Sequence, residues 1–267
     1  MRPAVVSLCL VAAACGRGEP SPAQPLPWPA PSPSGAGEPG PRAAALPDGS
    51  PDAGPPPPDA AIDAGPLATI VDWPVAWTAE RDRLMLAYRR EHSDPAATDL
   101  TIEPRMIVLH YTAGGSAKGT HGYFDRTRLE EARATLRKGG AANVVSHFLV
   151  DRDGTIFRLI PETRMGRHAI GVNHVAIGVE NVGDEARWPL TDAQVAADVA
   201  LIRDLAARYP IELVVGHHEV AALKGTPWFV ERVKGYGNQK GDPGPRFMKL
   251  VRAALGDSPL AAPPPTR

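Results

Sequence analysis

MIVLH, at 106–110, decides the reading: Met106, Ile107, Val108 and Leu109 form a continuous apolar run that ends on His110. Pro104 bounds it on one side and the Gly114-Gly115 loop on the other, the pattern of a short buried strand. His110 therefore stands at a strand exit. Working outward, VAIGVENV at 175–182 reads as another strand, and Ile211 to Val215 as a last buried one that leads straight into Gly216-His217. Residues 144–150 and 155–160 flank the turn Asp151-Arg152-Asp153-Gly154 and read as a hairpin.

Helical patterns lie between these runs. One starts at Thr78 and runs to about Glu91, closed by Asp94-Pro95. A second is expected over 123–138, where YFDRTRLEEARATLRK is rich in helix formers and Gly139-Gly140 ends it. A third opens at Thr191 with a capping box, since Gln194 stands three residues on, and carries Val195, Val199, Ile202, Ala206 and Tyr209 on one stripe until Pro210. Strands alternating with helices, plus one hairpin, predict an α/β fold with a mixed sheet flanked by helices.

Composition sets the limits. Of 267 residues, 26 are Gly and 30 Pro, too many for a chain folded throughout, and 16 of the prolines fall between Gly16 and Pro66. That stretch reads as an extended tether, leaving 67–257 as one domain and 258–267 as a disordered tail. A formal net charge of -1 argues against a nucleic-acid partner. The two cysteines, Cys9 and Cys15, both precede the tether, so the domain has no disulfide and no cysteine nucleophile. The apolar run 4–14 is shorter than the roughly 20 residues of a membrane span and suits a secretory leader. Ala12-Ala13-Ala14-Cys15 resembles a bacterial lipoprotein signal, which implies export and a membrane anchor through lipidated Cys15; an ordinary leader cleaved after an Ala-x-Ala site is the rival.

Standard catalytic signatures fail: His218-Glu219 begins HExxH but reaches Ala222, and Gly114-Gly115-Ser116 begins a nucleophile elbow but reaches Lys118. What remains is metal-competent: His110 and His217 at two strand exits, and Asp242 in KGDPGP. Two imidazoles and a carboxylate would leave a fourth tetrahedral position for water. Each histidine alone reads more readily as a satisfied core or loop residue than as a ligand, and Asp242, before a proline, more readily as a turn former.

Six segments in order, IVLHYTA (107–113), SHFLVDRDGTIFRLIPE (146–162), RHAIG (167–171), AIGVEN (176–181), VVGHHEV (214–220) and KGDPGP (240–245), resemble zinc-dependent N-acetylmuramoyl-L-alanine amidases of the AmpD and AmiD branch, related to peptidoglycan-recognition proteins. The resemblance implies that branch's mixed sheet, one Zn2+ per chain held by His110, His217 and Asp242, and Glu180 and Lys240 as catalytic partners. It implies hydrolysis of the amide between N-acetylmuramic acid and L-alanine in peptidoglycan or muropeptides by a monomer. Tyr111, His168 and Asn173 are expected along the substrate groove, with Arg167 where the family has tryptophan. In the adjacent pair, the pattern Gly-His-any-acid selects His217 over His218, and extended backbone there would turn the two rings to opposite faces. His147 reads as structural, and Ser146 stands where phage relatives carry a tyrosine, which leaves proton transfer to Glu180. The loop between His168 and Asn173 is short, and 222–239 is an insertion that could form a lid or a longer cleft wall. Arg126, Arg128, Arg133 and Arg137 read as the solvated face of the expected 123–138 helix. The alternative function is a non-hydrolytic peptidoglycan-binding lipoprotein.

Overall fold

In the computed structural model of the protein, residues 65–67 and 69–264 are described, all within one compact unit. The expected leader ending at Cys15 and nearly all of the proline-rich stretch behind it lie outside these residues. The run at 106–110 is the strand β2 (Met106–Tyr111), and Met106 to Leu109 are completely buried. Its apolar side chains can be satisfied only between two layers, so β2 sits inside the sheet, parallel to β5 (Ala176–Asn181) on one side and β6 (Leu213–Gly216) on the other. With β1 (Val71–Asp72), β3 (Phe148–Val150) and β4 (Ile156–Arg158), the order across the sheet is β1-β4-β3-β5-β2-β6. Only β3 and β4 pair antiparallel. Their turn closes through Gly154 N–H donating to Asp151 O at 3.0 Å, with Gly154 at φ +88°, a backbone that side chains disfavour. The fold is the expected α/β arrangement with a mixed sheet.

Alternation along the strands assigns the two faces. Ile107, Leu109, Ile177, Val179, Phe148 and Val214 face one side, where the helix α4 (Asp192–Arg208) packs Val195, Val199, Leu201, Ile202 and Leu205 onto them. The capping box of α4 is present: Thr191 Oγ1 accepts from Gln194 N–H at 3.2 Å, and Gln194 Oε1 accepts from Thr191 N–H at 3.0 Å. The helix α1 (Ala79–His92) is capped by Thr78, as its sequence indicates.

The helix expected over 123–138 does not form. Instead α2 (Ala117–Phe124) precedes it, a single turn α3 (Ala134–Arg137) closes it, and 125–133 is irregular. Tertiary bonds override the propensity: Leu129 N–H donates to Ala141 O, Asn143 N–H to Thr127 O, and the buried Arg81 guanidinium of α1 binds the carbonyls of Phe124 and Arg126 that a continuing helix would use. The arginines expected on one face are accordingly dispersed, Arg128 pairing with Glu80 and Arg137 donating to Leu129 O.

The sequence reading also missed α5 (Pro245–Leu255), which starts on a proline at the first helical position and packs Phe247, Met248, Val251 and Leu255 into the α4 face. The expected unordered tail from Ser258 is instead a 3-10 turn at Pro259–Ala261, with Leu260 and Ala261 packed against the same core.

Candidate active site

The carboxyl ends of β2, β5 and β6 converge on one side of the sheet. His110 and Glu180 are register partners on β2 and β5, so their side chains project to the same face. Beyond β6 the chain does not stay extended: His217–Leu223 is a 3-10 helix, because Glu219 Oε2 accepts Gly216 N–H at 2.8 Å and both of its oxygens bind Arg252 of α5. His217 and His218 still diverge. The His217 ring turns to Asp242, while the His218 ring and backbone N–H lie against the Asp242 carbonyl at 3.1 and 2.8 Å.

His110, His217 and Asp242 are buried, with one ligand atom from each within 4.8 Å of the others. Asp242 Oδ2 lies 3.2 Å from His110 Nδ1 and 3.1 Å from His217 Nδ1. A relay fixes which nitrogen of His110 is free. The Ala176 carbonyl can only accept, so His168 Nε2 carries the proton it donates there at 3.2 Å. His168 Nδ1 is then an acceptor, and His110 must donate to it from Nε2 at 3.1 Å. That turns Nδ1 of His110 toward the carboxylate oxygen of Asp242, an arrangement that suits a cation bound between them. Burial, then the neighbouring His110, pushes His217 down to about 4, which favours the neutral ring. Burial opposes ionisation of Asp242, but the neighbouring His110 and His217 outweigh it and hold the carboxyl below the usual range. Two imidazoles and one carboxylate fit a divalent metal of the zinc type.

Gly178 makes the relay possible. A Cβ there would stand 2.6 Å from His168 Cγ, so only glycine lets the ring lie against β5. Below it, His147 is fully buried, accepting Gly178 N–H at Nδ1 and donating from Nε2 to Arg164 O, the structural role its sequence position suggested.

The site opens into a cleft of about 440 Å³ whose lining includes Tyr111, Ser146, Glu180, Tyr236, Lys240 and Asp242. Glu180 is pushed up to about 7, chiefly by burial; His110, Lys240 and Arg133 oppose the rise and Asp242 adds to it. Its Oε2 and the Ser146 Oγ are buried without a hydrogen-bond partner, capacity that a ligand can use. Lys240 is exposed at the rim. His168 lines the cleft, but both ring nitrogens serve the relay, so it orients His110. Asn173 also lines it, while its Oδ1 accepts from the N–H groups of His168 and Ala169, bracing the short loop.

The insertion contributes Tyr236 and Asn238 to the wall of the cleft. Tyr236 is buried against the Arg167 guanidinium, which donates to its hydroxyl at 3.1 Å and to the carbonyls of Gly140 and Ala142. His92 of α1 binds Glu231 at 2.8 Å, fastening the insertion to the body. Sequence reasoning missed Tyr123 and Arg133, which line the same cleft with the guanidinium carbon 5.3 Å from the ring centroid. No local signal marked them, because their segment reads as a solvated helix.

The family described as N-acetylmuramoyl-L-alanine amidase matches residues 100–245, a span that holds His110, Glu180, His217, Lys240 and Asp242. The endolysin of Escherichia phage T7 is 36% identical over 106 residues, 38% of this chain and 70% of its own length. Peptidoglycan-recognition protein SC2 of Drosophila melanogaster is 29% identical over 136 residues, 49% of this chain and 73% of its own. Among solved structures, the N-acetylmuramoyl-L-alanine amidase LysC from Clostridium intestinale URNW has 25% identity and a TM-score of 0.45, with 70% of this chain and 97% of that one covered. The chain belongs to the N-acetylmuramoyl-L-alanine amidase family.

Proposed function

We propose that the protein hydrolyses the amide between N-acetylmuramic acid and L-alanine in peptidoglycan or its fragments, with one zinc ion held by His110, His217 and Asp242. The observation that carries this reading is the buried donor triad opening into a cleft beside a protonatable carboxyl. Bound there, zinc supplies a Lewis acid for the scissile carbonyl and lowers the pKa of water toward neutral. Glu180, held near neutrality by burial, takes a proton from the attacking water and returns it to the leaving amine of L-alanine. The Lys240 ammonium at the rim offsets the negative charge growing on the carbonyl oxygen. Tyr111 and the wall at Tyr236 flank the path of the glycan or the stem peptide.

Mass spectrometry of products from a defined muropeptide tests the reading. Release of a stem peptide with a free L-alanine amine, lost on chelation and restored by zinc, supports it. Tight binding without any product favours the non-hydrolytic alternative, although all three donor positions are filled.

The sequence Ala12-Ala13-Ala14-Cys15 supports an exported protein anchored in the envelope through lipidated Cys15, with 16–66 as its tether. Cys15→Ser should move the protein from the membrane to the soluble fraction. An unchanged distribution defeats this part of the proposal without touching the hydrolytic one.

A further inference from the structure

Behind the active face, α4 carries two buried polar residues four apart, Gln194 and Asp198, both completely inaccessible to solvent. Gln194 is accounted for: its amide donates to the carbonyls of Val150 and Val182 and its oxygen completes the helix cap. Asp198 is not. Its Oδ2 accepts from Asn181 Nδ2 at 2.9 Å, and its Oδ1 is buried without a partner. Asn181, also fully buried, has the same defect, for its Oδ1 finds no donor. The orientation of that amide is fixed: Nδ2 faces two acceptors, Asp198 Oδ2 and, at 3.3 Å, the main-chain carbonyl of His110. Two buried acceptors therefore lack a donor, and a buried polar group left unpaired destabilises the fold.

We propose that Asp198 stays protonated in the folded protein and that its Oδ1–H is the donor for Asn181 Oδ1, closing a two-bond acid–amide pair that positions the ends of β2 and β5. Those ends carry His110 and Glu180, on the opposite face of the sheet. Asp198 thus acts as a positioning residue, through Asn181 and the His110 carbonyl, and touches neither substrate nor metal. Its surroundings suit a neutral acid. The core between α4, β2, β5 and α5 is built from Val195, Val199, Ile107, Leu109, Val179 and Phe247. Burial is the main influence on the carboxyl and raises it to about 7, and the bond from Asn181 opposes the rise.

The sign of the pH effect follows. A carboxyl raised from 3.8 to about 7 on folding keeps a proton that the unfolded chain gives up. Its contribution to stability is whole below about pH 4, is lost as pH rises through about 7, and changes the folding equilibrium by about tenfold per pH unit in between. Asp198→Asn is the decisive variant, because an asparagine accepts from Asn181 Nδ2 and donates to Asn181 Oδ1, keeping both bonds with nothing to titrate.

Denaturant unfolding of wild type, Asp198→Asn and Asp198→Leu at fixed pH values from 4 to 8 tests the pair, alongside turnover at pH 7. The Asn variant should gain stability relative to wild type steadily from pH 4 to 7, then hold a constant difference, with kcat and KM within about twofold. Asp198→Leu should lower kcat at least tenfold with KM little changed. If it does not fold, the Asn variant decides alone. An Asn variant whose stability parallels wild type at every pH, or lies below it by a constant amount, overturns the proposal, since the carboxyl is then ionised or satisfied by water. The positioning role rests on the hydrolytic reading above, but the pH slope needs no substrate, so failure of one is distinguishable from failure of the other.

Discussion

The two faces of the sheet treat buried polar groups differently, the α4 face holding them against one another, Asp198 to Asn181 included, and the cleft face turning them toward open space. Toward α4 the surface is apolar, and Gln194 there binds protein partners through both ends of its amide. Toward the cleft, His110, His168, Glu180 and Ser146 crowd together, and Glu180 Oε2 and Ser146 Oγ are left unpaired. Period-two alternation along β2 and β5 puts these regimes one residue apart, Leu109 beside His110 and Val179 beside Glu180. One face supplies stability and the other holds bonding capacity for ligands. Substitutions on the cleft face should therefore change metal binding and rate with little effect on unfolding, and truncations of the apolar residues on the α4 face the reverse, Asp198 standing apart because it reaches β2 and β5 through Asn181.

The largest effect should come from His217→Ala, which removes a donor: stoichiometric zinc and measurable turnover both disappear, while His218→Ala keeps the metal and changes rate modestly, as metal analysis and a muropeptide assay would show. The reverse pattern would break the site assignment. Next, Glu180→Gln should keep zinc and lower turnover by about 10²–10⁴-fold, the usual contribution of one general acid–base group. Near wild-type turnover in that variant would remove Glu180 from the mechanism.

On the other face, Phe148→Ala should cost about 3–5 kcal/mol in denaturant unfolding, because the ring is completely buried and its neighbours can collapse only in part. The folded fraction should still bind one zinc. Loss of metal affinity there, with stability intact, would erase the division between faces. The smallest effect is Thr191→Ala, which removes one side of the α4 capping box and should cost about 1 kcal/mol. Turnover at saturating substrate should not change.

Much of this division is written locally in the chain. The continuous apolar run at 106–109 and the mostly apolar stretch at 211–215, bounded by proline and glycine, define strands with no help from distant residues, and Thr191 with Gln194 defines a helix start. The histidines at strand exits mark where chemistry can occur. What the sequence hides is decided at a distance. Residues 125–133 have helical composition, yet Arg81, from a helix more than forty positions earlier, takes the carbonyls that a helix would need. That same departure carries Arg133 into the cleft. No helix is read from the sequence beyond KGDPGP, yet Pro245 is the first residue of α5. Nor does spacing reveal that His168 orients His110, or that Gly178 is there to admit its ring.

Anomalous diffraction at the zinc edge, from crystals of the zinc-loaded protein, tests the central claim most directly. The account predicts one strong peak within about 2.0–2.2 Å of His110 Nδ1, His217 Nδ1 and a carboxylate oxygen of Asp242, the distances usual for such donors. A peak held by other residues, or full amidase activity in crystals with no zinc at this triad, would contradict it.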